Sequence, residues 1–419
     1  MFAPFRQARQ SIMPLLLTVF IDLLGIGIAI PVLAVIFLDP HVNMLPPGLS
    51  VGTRTFIYGL LIGSYPLAQF FGAPILGALS DHHGRKPLLI ISLIGTAIGY
   101  VLFGVGILIQ SPVTLFFSRI LAGFMGGNLS IALSGIVDLS DAKNKTHNFG
   151  LVGMAFGLGF ILGPFFGGKL ADPTLVSWFN LATPFWFAGG VTALNIILCA
   201  LFFRESIRKR LTTKISVFTG FRNIAVACTL PKLRLMFSVI FLTTLGFNLF
   251  TQFFQIFLID KFGFTQGRIG EFLAYTGLWI AATQGLLLRP ITRNFSSRTI
   301  FSISTLLLSL SIPALLLPRQ PGWLYVVVPL LAVFYGLSQP VSTTIVSDLS
   351  GEESQGEILG INQSVQSLAM AIPAILGGLV AGVHIYFPIL AACFITFTGW
   401  VLFALFFPHA EGRKLFHEI

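Results

Sequence analysis

Apolar runs long enough to cross a bilayer alternate with short polar connections along the whole chain. Twelve stand out, at residues 12–38, 54–79, 87–109, 112–137, 147–170, 184–203, 233–259, 268–291, 298–317, 323–348, 356–380 and 385–407. An α-helix rises about 1.5 Å per residue and the hydrocarbon layer is about 30 Å thick, so roughly 20 apolar residues span it. Every run meets that length, and the pattern predicts an all-α membrane protein with twelve transmembrane helices. Gly and Pro inside the runs are compatible with this, because neighbouring helices re-satisfy the freed backbone groups. Arg6 and Arg9 ahead of the first run resemble the charged start of a signal peptide. That run is too long for such a peptide and has no small-residue cleavage site, so it is expected to remain as the first helix.

The longest hydrophilic stretch, 204–232, parts the runs six and six. The expected organisation is a six-helix half at 1–203, a basic linker at 204–232 and a second half at 233–419. An internal repeat supports the division: "VDLSDAKNKTHNFG", ending at Gly150, matches "SDLSGEESQGEILG", ending at Gly360. Asp138-Leu139-Ser140 and Asp348-Leu349-Ser350 are 210 residues apart, and each copy joins a fourth run of its half to a fifth. Parallel repeats of this kind put a binding site at mid-membrane, between halves that rock.

Composition points the same way. Soluble domains are about a quarter charged, whereas here 10% of residues are charged, 55% are hydrophobic and 43 are Phe, with a mean hydropathy of +0.89. Such a chain needs lipid as solvent. Its net charge of +10 does not form the basic face of a nucleic-acid binder; it sits in loops. Arg6, Arg9, Arg85, Lys86, Lys143, Lys145, Arg204, Arg208, Lys209, Arg210, Lys214, Arg222, Lys232, Arg234, Arg289, Arg293, Arg298, Arg413 and Lys414 fall on one side. Only Arg54, Lys169, Lys261, Arg268 and Arg319 fall on the other. By the positive-inside rule both termini are cytoplasmic, in a multi-pass protein of the cell's inner (plasma) membrane. The linker is read as a solvated segment near anionic headgroups rather than a ligand site.

Little else competes with that picture. Cys199, Cys228 and Cys393 have no paired spacing, so neither a disulfide nor a metal site is expected. His82-His83 lacks further ligands for a metal. No GxxxxGK[ST] phosphate loop and no nucleophile–base constellation is present. The expected partners are the lipid bilayer, protons and a small molecule, and the expected state is a monomer without cofactor.

The most specific sequence is "GALSDHHGRKP", Gly77 to Pro87, between the second and third runs. Gly84 suits a tight turn, Gly77 lets helices approach, and Asp81, Arg85 and Lys86 form a compact charge cluster. From chemistry alone an ordinary basic turn serves equally well. The stretch resembles the loop signature of the major facilitator superfamily. "RILAGFMGG", containing Arg119, is similar to that family's fourth-helix motif. "GMAFGLGFILGPFFGG" (Gly153, Gly157, Gly163, Pro164, Gly167) resembles its fifth-helix antiporter motif, and "DLLGIGIAIPVL" (Asp22) its first-helix drug/proton antiporter motif. The likeness is nearest to tetracycline-resistance efflux pumps, stronger through 15–205 than through 265–380. It implies the major facilitator fold and a cytoplasmic latch in which Asp81 and Arg85 work with Asp138. Where tetracycline pumps carry a third-helix Asp this chain has Gly99, and 298–317 lacks their acidic residue. A metal-chelated tetracycline is therefore not the solute the pattern favours.

Two charges lie inside runs. Asp22 is about eleven residues into the first and Arg119 about eight into the fourth. Each costs roughly 2.5–3.5 kcal/mol at the bilayer centre and so needs a wet cavity or a partner. They are either a structural ion pair, or a proton site in which Asp22 loads and unloads while Arg119 biases it. The fifth-run glycines, four residues apart, predict one bare face for close helix packing.

Polar residues in other runs are candidates for a solute cavity or for hydrogen bonds between helices. They are Tyr65 and Gln69, Asn128, the one-face stripe Asn248, Gln252 and Gln255, then Gln284, Gln339, Asn362 and Gln366. The Phe residues around 247–257 are expected mostly against lipid or other helices. Together these features predict proton-driven export of a small organic or amphipathic compound by alternating access. A nutrient importer and a non-transporting receptor or scaffold are the rival readings.

Overall fold

The computed structural model describes residues 3–38, 44–46, 48–140, 144–207, 229, 231–264, 266–350, 355–380 and 386–407. Most of the linker, Cys228, Lys143, Arg413 and Lys414 lie outside the described residues, as does the side chain of Gln255. All regular structure among the described residues is helical. Six helices precede the linker: α1 (Ala3–Leu38), α2 (Val51–His83), α3 (Arg85–Leu108), α4 in two segments (Pro112–Met125 and Asn128–Asp138), α5 (Lys145–Leu170) and α6 (Thr183–Phe202). Six follow it: α7 (Pro231–Phe262), α8, α9 (Ser297–Ala314), α10 (Pro321–Leu349), α11 (Gln355–Val380) and α12 (Phe387–Phe406). Helix α8 runs Gln266–Ala282, then a π turn at Thr283–Leu287, then Leu288–Asn294.

Among the described residues, eleven helices are individually long and apolar enough to cross a membrane. Helix α8 is the twelfth, its length divided by the π turn. The outer surfaces confirm lipid as solvent. On α3, Ile91, Ile94, Ile98 and Val101 are each 44–53% exposed, an apolar stripe that water would not tolerate at this extent. Leu89, Leu93 and Phe103 on the same helix are buried. The Phe residues of α7 pack inward among helices, with Phe247 stacked on Tyr335 at 3.5 Å between ring centroids.

Three features depart from the apolar pattern. Helix α1 begins at Ala3, nine residues before its apolar run, because no breaker lies between Pro4 and residue 12 and a helix tolerates proline in its first turn. Helix α4 breaks at Gly126-Gly127, where it rides directly on α2: a Cβ on Gly127 would lie 2.5 Å from the Ala73 nitrogen. The π turn of α8 is the third, and such turns frequently mark functional sites.

The halves meet along two seams, α2 against α11 and α5 against α8. Gly150 packs on Leu288 and the Gln284 carbonyl, while Gly360 packs on the Ala73 carbonyl and Pro74. These two glycines, 210 residues apart in the repeat, thus play the same part in the two seams. The α5–α8 contact continues through Gly157–Ala281 to Ile161–Gly277. It therefore occupies the part of α5 nearest the loop from α4, and the bundle is closed on the face that carries the most basic loops.

Candidate functional site

Asp22 comes from α1 and Arg119 from α4, and burial of both is nearly complete (1% and 4% exposed). They do not form an ion pair with each other. Both carboxylate oxygens of Asp22 lack a hydrogen-bond partner, as does Nε of Arg119. The Arg119 guanidinium lies over the Tyr65 ring, 4.7 Å from its centroid, and 6.0 Å from that of Phe103. Tyr100 of α3 completes the group, with its ring seated where Gly25 leaves α1 without a side chain. The hydroxyls of Tyr65 and Tyr100 also lack partners, and Asp22 and Arg119 lie within electrostatic reach of both. Four helices thus converge on one carboxyl, one guanidinium and two phenols in an apolar surround. A cation held over an aromatic face is stabilised without a counter-ion, which leaves Asp22 free of a fixed partner.

At the closed face Gly84 turns the chain between α2 and α3 at a φ of 108°, a conformation that glycine alone adopts readily. Arg85 folds back to pair with Asp81, donates from Nε to Asp138 at 3.0 Å, and donates to the Ser80 hydroxyl at 2.8 Å. Gly77 is buried in α2 and accepts from that same hydroxyl. The Lys86 side chain does not join this network; its ammonium donates to the Ala200 carbonyl at the end of α6. Two residues that the sequence did not single out complete it. Glu205 accepts from the backbone N–H groups of Arg85 and Lys86, and Ser206 donates to Asp138 at 2.9 Å. A carboxylate at the first turn of α3 complements the helix dipole. The one legible hint was that Glu205 is a lone acid in a basic stretch.

The fifth-helix glycines do not share one face. Gly153 and Gly157 meet α8, with Gly153 forming the slot for the Gln284 amide, whereas Gly159 and Gly163 meet α1 at Phe20, Leu24 and Gly27. At about 100° per residue, ten residues from Gly153 to Gly163 swing the direction by roughly 280°, so four-residue spacing holds only within each pair. Gly167 is buried further along, and α5 continues unbroken through Pro164.

The remaining polar candidates scatter. Gln69 is hydrogen-bonded on both sides, its amide nitrogen donating to the Gly126 carbonyl of α4 and its oxygen accepting from Ser367 of α11. Asn248 donates to its own helix at Thr244, a local arrangement that satisfies the amide without a ligand. Gln339 donates to the Tyr335 hydroxyl beside a small cavity between α7, α9 and α10. Gln252 is half-buried and Gln366 buried. Asn128, Asn362 and the Gln284 carbonyl are buried with unpartnered atoms, so these three keep open polar capacity inside the bundle.

The family model described as Major Facilitator Superfamily matches residues 15–372 and again 236–417. Multidrug resistance protein 1 of Bacillus subtilis is 30% identical over 89% of this chain and 90% of its own length. Tetracycline resistance protein, class H, of Pasteurella multocida is 28% identical over 88% of each. The solved structure of the human organic anion transporter MFSD10 superposes with a TM-score of 0.79 at 22% identity. It covers 94% of this chain and 99% of that one, a likeness of fold.

Proposed function

This chain belongs to the Major Facilitator Superfamily, whose members are transporters rather than enzymes, and on that premise we propose that it expels a small amphipathic organic compound in exchange for protons. The observation that carries the reading is the Asp22 carboxyl, buried at mid-membrane with no partner on either oxygen. A fixed structural charge would be paired; an unpartnered one is free to take up and release a proton as its access to water changes. Arg119, parked on Tyr65, biases that exchange without neutralising it. Relatives named for tetracycline and multidrug resistance support outward movement of the solute. Asn128, Gln284 and Asn362, with unpartnered amide atoms on three helices, are the residues best placed to meet it. The gradient is sufficient: one charge crossing 100 mV is worth about 2.3 kcal/mol, roughly a fiftyfold solute ratio.

The test is reconstitution into vesicles with an imposed pH gradient and an uncharged fluorescent amphipathic compound as probe. Export by exchange moves the probe against the proton flow. Movement of probe and protons in the same direction would make the protein a symporter and overturn the reading.

Two further outcomes follow from the same reading. The basic loops face the cytoplasm, so trypsin cuts the linker in inside-out vesicles and leaves it intact in right-side-out ones; the reverse pattern would invert the topology. The Arg85 network is the latch of the outward-open state. Arg85→Ala removes the ion pairs to Asp81 and Asp138 at once and lowers transport at least tenfold, with folded yield near normal. Asp81→Asn weakens transport in the same way, and full transport by both variants would remove the latch from the mechanism.

A further inference from the structure

The two seams between the halves are not chemically alike. Along α2–α11 the Ser364 hydroxyl donates to the Phe70 carbonyl at 2.7 Å, and the Ser367 hydroxyl donates to Gln69 Oε1 at 2.9 Å. The repeat offset of 210 residues carries Ser364 and Ser367 onto Met154 and Gly157 of α5, which bring no hydroxyl to the other seam. The bond from Ser367 to Gln69 therefore has no counterpart at the repeat-related positions of the other seam. Gln69 is 3% exposed, and its amide nitrogen donates at 2.9 Å to the carbonyl of Gly126. That carbonyl only accepts, so the orientation of the amide is fixed by its two partners. Gly126 is the first residue of the break in α4, two turns beyond Arg119. Tyr65, which carries the Arg119 guanidinium on its ring, lies one turn before Gln69 on the same helix.

We propose that Gln69 is the coupling residue of the transporter: it ties the break in α4 below the buried charge site to α11 of the opposite half through Ser367. A shift of α4 that follows a change at Asp22 or Arg119 moves the Gly126 carbonyl. Gln69 cannot follow it without loosening its hold on Ser367. The bond to Ser367 exists only while the latched face is closed, because rocking slides α11 along α2. Gln69 acts here as a positioning residue rather than as part of the solute cavity. The inference rests on alternating access but not on which solute is carried or on which ion drives it.

Spin labels on His83→Cys and Asn294→Cys, exposed positions of the two halves on the latched face, report its opening by electron–electron distance. Native Cys228 and Cys393 are replaced by Ser for this purpose. Gln69→Met keeps the side-chain length without the amide, and Ser367→Ala removes the hydroxyl. Each is expected to shift the closed-to-open ratio about tenfold toward open, the usual scale for orphaning a buried hydrogen-bonding group. The double variant is expected within about twofold of Gln69→Met, because the bond that Ser367→Ala removes is already broken in Gln69→Met. Transport should lose Vmax with little change of KM for the amphipathic probe. Unchanged distances, additive effects, or a raised KM in Gln69→Met with Ser367→Ala silent would overturn the proposal, the last by making Gln69 a solute contact. Distances shift as stated even if proton coupling fails, so the two readings fail separately.

Discussion

Asp22→Asn abolishes gradient-driven accumulation while leaving downhill exchange of the same probe intact. For one proton exchanged per uncharged solute, the sustained concentration ratio falls from roughly fiftyfold under a proton-motive force of about 100 mV to about one. Asparagine keeps the volume and polarity of the side chain and removes only the exchangeable proton. No ion pair is lost, because Asp22 has none, so folded yield and thermal stability stay close to those of the parent. This separates the proton role from a packing role: a carboxylate that held helices together would cost stability when replaced. The measurement is paired, with active uptake into inside-out vesicles under an acid interior and counterflow without a gradient. If Asp22→Asn accumulates the probe normally, the proton is carried elsewhere. If both activities vanish, Asp22 binds the solute or shapes the cavity.

Twelve spans were legible because lipid imposes both length and apolarity on every crossing segment, and each observed helix overlaps its apolar run. What the runs hid were irregularities that leave hydropathy unchanged. The Gly126-Gly127 break and the π turn at Thr283–Leu287 sit inside unbroken apolar stretches, since spanning helices carry glycine freely. The Arg85 network was legible in part. Asp81, Arg85 and Asp138 sit in motifs with a recognisable pattern, but Glu205 reaches the loop from 120 residues away, and spacing carries no such information. Lys86 looked equivalent to Arg85 by charge. A rigid guanidinium can serve two carboxylates at once, whereas the ammonium of Lys86 instead satisfies a free carbonyl at a helix end. Amides were the hardest to place. Gln69, Asn248 and Asn128 are alike in sequence, and only the surrounding backbone decides that the first stitches a seam, the second bonds its own helix and the third stays unpartnered.

The second large effect separates two kinds of glycine on α5. Gly157 meets Ala281 across the seam, where an added Cβ would lie 3.2 Å from the alanine methyl. Gly163 meets Gly27 of α1 inside one half, where a Cβ would lie 2.7 Å from the Gly27 α-carbon and 2.8 Å from the Leu24 carbonyl. The α1–α5 contact has to survive every step of the cycle, while the α5–α8 contact has to form and part. Gly163→Leu therefore forces two helices of one rigid unit apart, and overpacking of this kind costs about 1–3 kcal/mol or more; folded yield collapses. Gly157→Leu leaves each half intact and props the seam open. Its folded yield and melting temperature remain near the parent's, its latched face is open in the spin-label distances, and transport drops below about one-hundredth, on the scale of the same overpacking cost converted to an equilibrium. The contrast between the variants is what tests the geometry. If Gly157→Leu transports normally, α5 and α8 do not close the pathway. If it is lost from the membrane as fully as Gly163→Leu, the α5–α8 contact belongs to the folded core and the moving boundary between the halves must run elsewhere.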